Sequence, residues 1–187
     1  MDDTVNVLAI SGSLRKGSFN THLLRALRDR APAHGIAMEI ATLHGIPLYD
    51  GDEEDAHGVP ASVLELAGKI RAADGVVIAT PEYNFSPPGV LKNATDWVSR
   101  LKDHPFRERR TGLVGAAGGP LGTGRAQYHL RQNLQGLEAW VMPKPEVFVG
   151  NAPQKFDADG NLTDEATAKV IDLWLKAFAV WVRRGNG

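Results

Sequence analysis

The chain of 187 residues contains no cysteine. Disulfides, thiolate nucleophiles and cysteine-ligated metal centres are therefore excluded. Charge of one sign is also missing: 21 Lys and Arg stand against 22 Asp and Glu, a formal net charge of -1. So balanced a chain offers no broad basic field for a nucleic-acid backbone. No apolar run reaches the ~18 residues that a membrane span needs. The start, Met1-Asp2-Asp3-Thr4, is acidic and lacks the basic region of a signal peptide, so a cytoplasmic protein is expected. The 6 histidines are scattered, with no H-E-x-x-H or clustered metal spacing, and no metal site is expected. A G-x-S-x-G elbow is absent, which argues against a serine esterase. No repeat, low-complexity segment or linker divides the chain, so one α/β domain over 1–187 is expected.

What is present is organised around Ile10-Ser11-Gly12-Ser13-Leu14-Arg15-Lys16-Gly17-Ser18-Phe19-Asn20. The apolar run Val5 to Ile10 leads into it, and a helical pattern with Leu23, Leu24 and Leu27 leads out. A buried strand, a small polar turn and a helix N-terminus together make an anion site: free N–H groups point outward and the helix dipole favours negative charge. Ser13 and Ser18 add hydroxyls, and Arg15 adds a guanidinium suited to phosphate. Gly17 is followed by Ser18-Phe19, so a P-loop fails on spacing. Gly12-Ser13-Leu14 has no second glycine in register, so a dinucleotide fingerprint fails too. A turn that holds one terminal phosphate remains.

Strands and helices alternate thereafter. Ala37 to Ala41 reads as a second strand. The stretch His44 to Pro60 reads as a loop, with Asp52-Glu53-Glu54-Asp55 as a solvated acidic run. Ser62-Val63-Leu64-Glu65 reads as a capping box that starts a helix ending near Ala72. Val76 to Thr80 is apolar without alternation, as in a central parallel strand. A helix follows from Gly89 to Leu101, then a strand Thr111 to Ala117, a glycine-rich turn and a helix from Arg125 to Leu137. Trp140 to Met142 and Glu146 to Val149 supply a fifth strand interrupted by prolines. Asp157 to Gly160 is a turn, and Thr163 caps a last helix with Val170, Ile171, Trp174, Leu175 and Phe178 inward. The result is a three-layer α/β sandwich on a five-stranded parallel sheet, order 2-1-3-4-5. Ligands bind such sheets at the strand C-terminal ends beside the switch point. Three segments should therefore meet there: Ser11 to Asn20, Pro81 to Pro88 and Ala117 to Arg125.

The second segment, Pro81-Glu82-Tyr83-Asn84-Phe85-Ser86-Pro87-Pro88, is stiffened by proline and offers an aromatic wall. The third is glycine-rich and lets a flat ligand approach the backbone. A phosphate cradle, a rigid aromatic loop and a flat glycine loop suit a phosphorylated planar cofactor, and FMN has that shape. With no acid/base pair in evidence, chemistry carried by such a cofactor is consistent with the residues.

These same residues resemble a known family. Gly12-Ser13-Leu14-Arg15-Lys16-Gly17-Ser18-Phe19-Asn20 is similar to the G-S-L-R-x-x-S-x-N loop of the flavodoxin-like NAD(P)H-dependent FMN reductases. Pro81 to Ser86 with Pro88-Gly89-Val90-Leu91-Lys92-Asn93-Ala94-Thr95-Asp96-Trp97 resembles their P-E-Y-N-x-S-x-P-G-x-L-K-N-x-x-D-W signature. Gly122 to Gln132 resembles their third loop and its helix. Within the family the chain looks most like bacterial quinone reductases also described as chromate reductases. The resemblance implies that Ser13, Arg15, Ser18 and Asn20 surround the FMN phosphate, with Leu14, Lys16, Gly17 and Phe19 completing the loop. It implies that Pro81, Glu82, Tyr83, Asn84 and Phe85 line the flavin ring. Ala117 stands where the family often has serine, so a contact there must use the backbone N–H, at a cost of ~1 kcal/mol.

The resemblance further implies NADPH or NADH as co-substrate, quinones as acceptors (with chromate, azo and nitro compounds as others), ping-pong turnover, and a homodimer or homotetramer. Helices Lys92 to Arg100 and Arg125 to Leu137 are the expected subunit surfaces, with Glu146 and Tyr128 as cross-subunit partners. The alternative reading is a flavodoxin-like electron carrier or redox sensor without nicotinamide turnover, against which the near-neutral charge argues. Arg125 and Tyr128 begin the helix after the third loop and are expected on the substrate side. Replacing Tyr128 should change steady-state turnover more than flavin content; kinetics identical to the wild type would remove it from the substrate side.

Overall fold

The computed structural model describes residues 4–185. Strands β1 (Val5–Ser11), β2 (Ile36–Ala41), β3 (Gly75–Ala79), β4 (Arg110–Ala116), β5 (Trp140–Val141) and β6 (Val147–Val149) form one all-parallel sheet. Its order is β2-β1-β3-β4-β5, with β6 also on β4. Helices are α1 (Phe19–Arg30), α2 (Gly51–His57), α3 (Ala61–Ala72), α4 (Gly89–Ser99), α5 (Gly124–Gly136) and α6 (Glu165–Arg183). The expected fifth strand is two short ones in a single lane. β5 pairs with the start of β4 at Arg110 and Thr111, and β6 pairs with its end at Val114 to Ala116. Pro143 and Pro145 cannot donate to the ladder, so pairing lapses between them.

The sheet is buried on both faces, which is why its strands read as continuous apolar runs. Val7, Ala9, Val77, Ala79 and Val114 point to one face, under α1 and α6. Leu8, Ile10, Val76, Ile78 and Leu113 point to the other, under α3, α4 and α5. Strand residues alternate faces, so β1, β3 and β4 each feed both cores. On the first face Trp174 and Phe178 stack at 4.8 Å over the sheet. Gly112 makes room for them: a Cβ there would sit 2.5 Å from Trp174.

Four local expectations are corrected. The acidic run is helix α2, not loop; the Asp50 side chain accepts the Asp52 N–H and caps it, and acidic residues in a first turn suit the helix dipole. The capping box at Ser62 does not form. The α3 helix starts two residues earlier, with Pro60 at the N-cap position, and the Ser62 hydroxyl donates instead to the Gly45 carbonyl. Asp164 rather than Thr163 caps α6, accepting the Thr167 N–H at 2.7 Å. Val170 is 44% exposed, because the buried stripe runs through Ile171, Trp174, Leu175, Phe178 and Val182 and leaves it on the flank.

The α6 helix is tied to the end of α1 by Arg30, which donates to Asp172 at 2.8 and 2.5 Å; His34 lies 3.4 Å away. The Arg30 hydrogen bonds outweigh burial and, with His34, hold the Asp172 carboxyl below the ordinary aspartate range. A carboxyl depressed on folding stabilises the folded chain above its unfolded pKa, and that contribution fades as pH falls through the folded value. Asp172→Asn is expected to cost less than ~1 kcal/mol at neutral pH, since the pair is partly solvated. In urea unfolding the gap between variant and wild type should close as pH drops below about 4. A gap that persists in acid would assign the cost to something other than the ion pair.

Candidate functional site

The site begins where β1 ends. Gly12 donates its N–H to the Ala79 carbonyl at 2.8 Å, and a Cβ there would lie 3.0 Å from that oxygen and 3.2 Å from Pro81. Any larger residue would press on this close approach of the ends of β1 and β3. The chain then turns through Ser13 to Gly17 into α1. The Ser18 side chain caps the helix, accepting from the N–H groups of Asn20 and Thr21. The Ser13 hydroxyl accepts from the Arg15 N–H at 3.3 Å. The hydroxyls of buried Ser11 and half-buried Thr21 pair at 2.8 Å beneath. Among the described residues, the N–H groups of Leu14, Lys16, Gly17 and Phe19 have no acceptor, and Arg15 and Lys16 have no acidic partner. Unpaired donors and unpaired cations at one helix N-terminus favour an anion.

The second wall is the loop after β3. Tyr83 and Ser86 exchange backbone hydrogen bonds at 2.9 and 3.0 Å, closing a tight turn over Asn84 (φ 50) and Phe85 (φ 68). Two successive left-handed residues define a type I′ turn. Asparagine tolerates that conformation; phenylalanine is strained by it. The Glu82 side chain, 5% exposed, accepts from Arg125 Nε at 2.6 Å and from the Ala126 N–H at 3.1 Å.

The third wall is the end of β4. Asn20, 4% exposed, binds the Ala116 backbone twice: its Nδ2 donates to the carbonyl at 2.9 Å and its Oδ1 accepts the N–H at 3.0 Å. Its amide therefore ties α1 to β4. One expectation is overturned here. The Ala117 N–H is not free for a ligand, because it donates to the Val149 carbonyl at 2.9 Å and extends the β4–β6 ladder. The adjacent N–H groups of Gly118 and Gly119 have no acceptor among the described residues.

The three walls enclose a cavity of about 310 Å³. Ser13, Arg15, Ser18, Phe19 and Asn20 line it from the first loop, Pro81, Glu82 and Tyr83 from the second, and Ala117 from the third. Gly118, within the third expected segment, lines it too, and so does Ala116, which lies outside that segment; a strand terminus carries no side-chain signal. Leu14, Lys16 and Gly17 lie exposed outside the lining, where the turn bulges toward solvent. Asn84 and Phe85 also fall outside it, because the I′ turn carries them to the loop tip. Arg125 lies over the Phe85 ring at 3.9 Å rather than in the cavity.

Tyr128 is 53% exposed and sits 6.4 Å from the Phe148 ring beyond the cavity. Tyr128 and Glu146 already interact within one chain: burial pushes the Glu146 carboxyl up, but hydrogen bonds from Lys144 and Tyr128 bring it below the usual range. Larger hollows of about 410 and 460 Å³ lie beside β2 and α6. Neither lies at the strand C-terminal ends.

The tie through Asn20 is open to test. Asn20→Ala leaves a buried N–H and a buried carbonyl without partners, and should lower stability in urea unfolding by about 2 kcal/mol. A loss under ~0.5 kcal/mol would show that the amide does not hold α1 to β4.

This geometry agrees with what is known of similar chains. Residues 5–154 match the family model described as NADPH-dependent FMN reductase. The NAD(P)H-dependent FMN reductase of Pseudomonas aeruginosa is 46% identical over 187 residues, covering 100% of both chains. The quinone reductase of Escherichia coli is 44% identical over 185 residues, covering 98% of both. Among solved structures, the flavoenzyme NAD(P)H:(acceptor) oxidoreductase FerB of Paracoccus denitrificans superposes with a TM-score of 0.85 at 33% identity, covering 97% of this chain and 99% of that one. The chain belongs to the NADPH-dependent FMN reductase family.

Proposed function

We propose that this chain is an NAD(P)H-dependent oxidoreductase that holds FMN in the three-walled cavity and reduces quinones by a ping-pong cycle. One observation carries the reading. The turn 12–19, with its unpaired N–H groups and the unpaired Arg15 and Lys16, opens on the same cavity as Tyr83, Ala117 and Gly118. A phosphate with an attached planar ring system satisfies both halves. The residues present fit the group: hydroxyls, amides and a guanidinium for the dianion, and a firm aromatic edge for the ring. FMN, when bound, supplies hydride acceptance and donation; the protein binds, orients and shields.

The roles of the chain's residues follow. Ser13, Ser18 and the N–H of Phe19 hold the phosphate from within the cavity, with Arg15 closing over it and the N–H groups of Lys16 and Gly17 at its solvent rim. The Ser18 hydroxyl does double duty as N-cap, so anion and helix stabilise one another. Pro81, Glu82 and Tyr83 bound the ring on one edge, and the N–H groups of Gly118 and Gly119 face it from another. The three loops share one cavity, so nicotinamide and acceptor visit it in turn, which favours ping-pong turnover. An open mouth discriminates acceptors weakly, which extends the range to azo and nitro compounds and chromate. A homodimer or homotetramer, with Tyr128 and Phe148 at or near the contact, accounts for the aromatic surface around the mouth.

The test is an absorbance spectrum of purified protein, anaerobic titration with NADPH and then NADH, and re-oxidation by benzoquinone. The expected result is yellow protein, bleached by one nicotinamide at lower concentration than the other, and restored by quinone. Initial rates at several fixed quinone concentrations should give parallel double-reciprocal lines. Yellow protein that no nicotinamide bleaches would make it an electron carrier or sensor. Colourless protein that takes up no added FMN would overturn the reading.

A further inference from the structure

The turn 83–86 poses an energetic problem. Asn84 and Phe85 both hold positive φ, and Phe85 is 60% exposed, so no core packing forces it there. Such strain persists only where neighbouring structure over-determines it. The prolines at 81, 87 and 88 restrict the loop's ends and say nothing of its tip. What holds the tip is the start of α5. Glu82 accepts from the Ala126 N–H at 3.1 Å and from Arg125 Nε at 2.6 Å, with Arg125 Nη2 on the same oxygen. The Arg125 guanidinium lies over the Phe85 ring at 3.9 Å. On the far side of the turn, the Ser86 hydroxyl meets His129 Nδ1 at 2.9 Å. Positions 125, 126 and 129 share one helix face, and every one of them grips this loop.

We propose that the first turn of α5 is a clamp for the cavity's second wall, with Glu82 and Arg125 as positioning residues. Arg125 is the centre of the clamp: its guanidinium bonds Glu82 before the turn and covers Phe85 within it. The ion pair can be strong for its kind, because the carboxylate is 5% exposed while the guanidinium is 46% exposed and still hydrated. The loop is thereby kept in a shape that would otherwise relax, and Tyr83, which lines the cavity, is held in place for its ligand. The cost of ordering the wall is met on folding rather than on binding.

The inference rests on the reading that FMN occupies this cavity, and the test separates the two. FMN affinity is measured by quenching of free-flavin fluorescence for wild type, Glu82→Gln, Arg125→Met and the double variant. Amide hydrogen exchange is followed over 83–86 and over β1 and β3. Arg125 is exposed, so Arg125→Met should fold even if Glu82→Gln does not. Each single variant is expected to weaken FMN binding about tenfold, and the double variant no more than the weaker single, because both remove one clamp. Exchange over 83–86 should quicken at least tenfold with β1 and β3 unchanged, which a general loss of stability would not produce. Wild-type protein that binds no FMN would overturn the reading of the cavity. Wild type that binds FMN, with Arg125→Met within twofold of it and exchange over 83–86 unaltered, would overturn the clamp. Singles whose losses multiply in the double variant would overturn it as well.

Discussion

The structure depends on the double pairing of β1. It lies between β2 and β3, in register with both, from Val7 to Ile10. The chain leaves it through α1 to β2 on one side, then crosses back over it through α2 and α3 to β3 on the other. The helices of the two crossovers lie on opposite faces, so a crevice opens at the strand C-terminal ends. Gly12 sits at that point, and its contact with Ala79 brings the ends of β1 and β3 within one hydrogen bond. The anion turn and the loop after Thr80 thus start as neighbours, and Asn20 adds the end of β4. No side chain at the site could be placed without this backbone arrangement.

Much of this was legible in the sequence because parallel strands and helix starts leave strong marks. Val76 to Ala79 reads as buried on both faces since nothing in it alternates. The anion turn reads from Gly12, Ser13, Arg15 and Ser18, since those residue types serve donors and an N-cap. What was not legible depends on competition between partners. Ser62 and Glu65 have the spacing of a capping box, yet the Ser62 hydroxyl binds Gly45 and Glu65 pairs with Lys69. Asp52 to Asp55 look like solvated loop, yet Asp50 caps them, and Glu54 binds Tyr49 and Arg100. Those partners are distant in sequence or depend on a backbone angle, and no pattern of residue types announces them.

The Ala117 position shows the same limit inside the site. Missing a hydroxyl, it looks like a place where backbone must substitute for side chain. The free N–H groups lie one and two residues further on, because β6 claims the Ala117 N–H for its ladder. What sequence reading missed is that the Ala117 N–H is already paired within the chain. The cause is the split fifth strand: pairing of Val147 to Val149 with the end of β4 is what consumes that N–H, and it follows from the proline break at 143–145.

The two halves of the cavity are held by different physics. The anion turn is held by its own chain, through a cap, a strand end and a hydroxyl pair, and it keeps donors free because a helix N-terminus cannot use them itself. The ring-side loop has no such internal supply. Its tip is strained and exposed, and its order is borrowed from α5 through a carboxylate that carries charge into a nearly dry position. A phosphate needs many donors at fixed points, and a helix start provides them without further support. A flat ring visited by two partners in turn needs an edge that stays put while its face stays open. A wall whose lining carboxylate is gripped from behind, by a residue that does not itself line the opening, meets both conditions, and Arg125 on the outer side of Phe85 stands where such a support belongs.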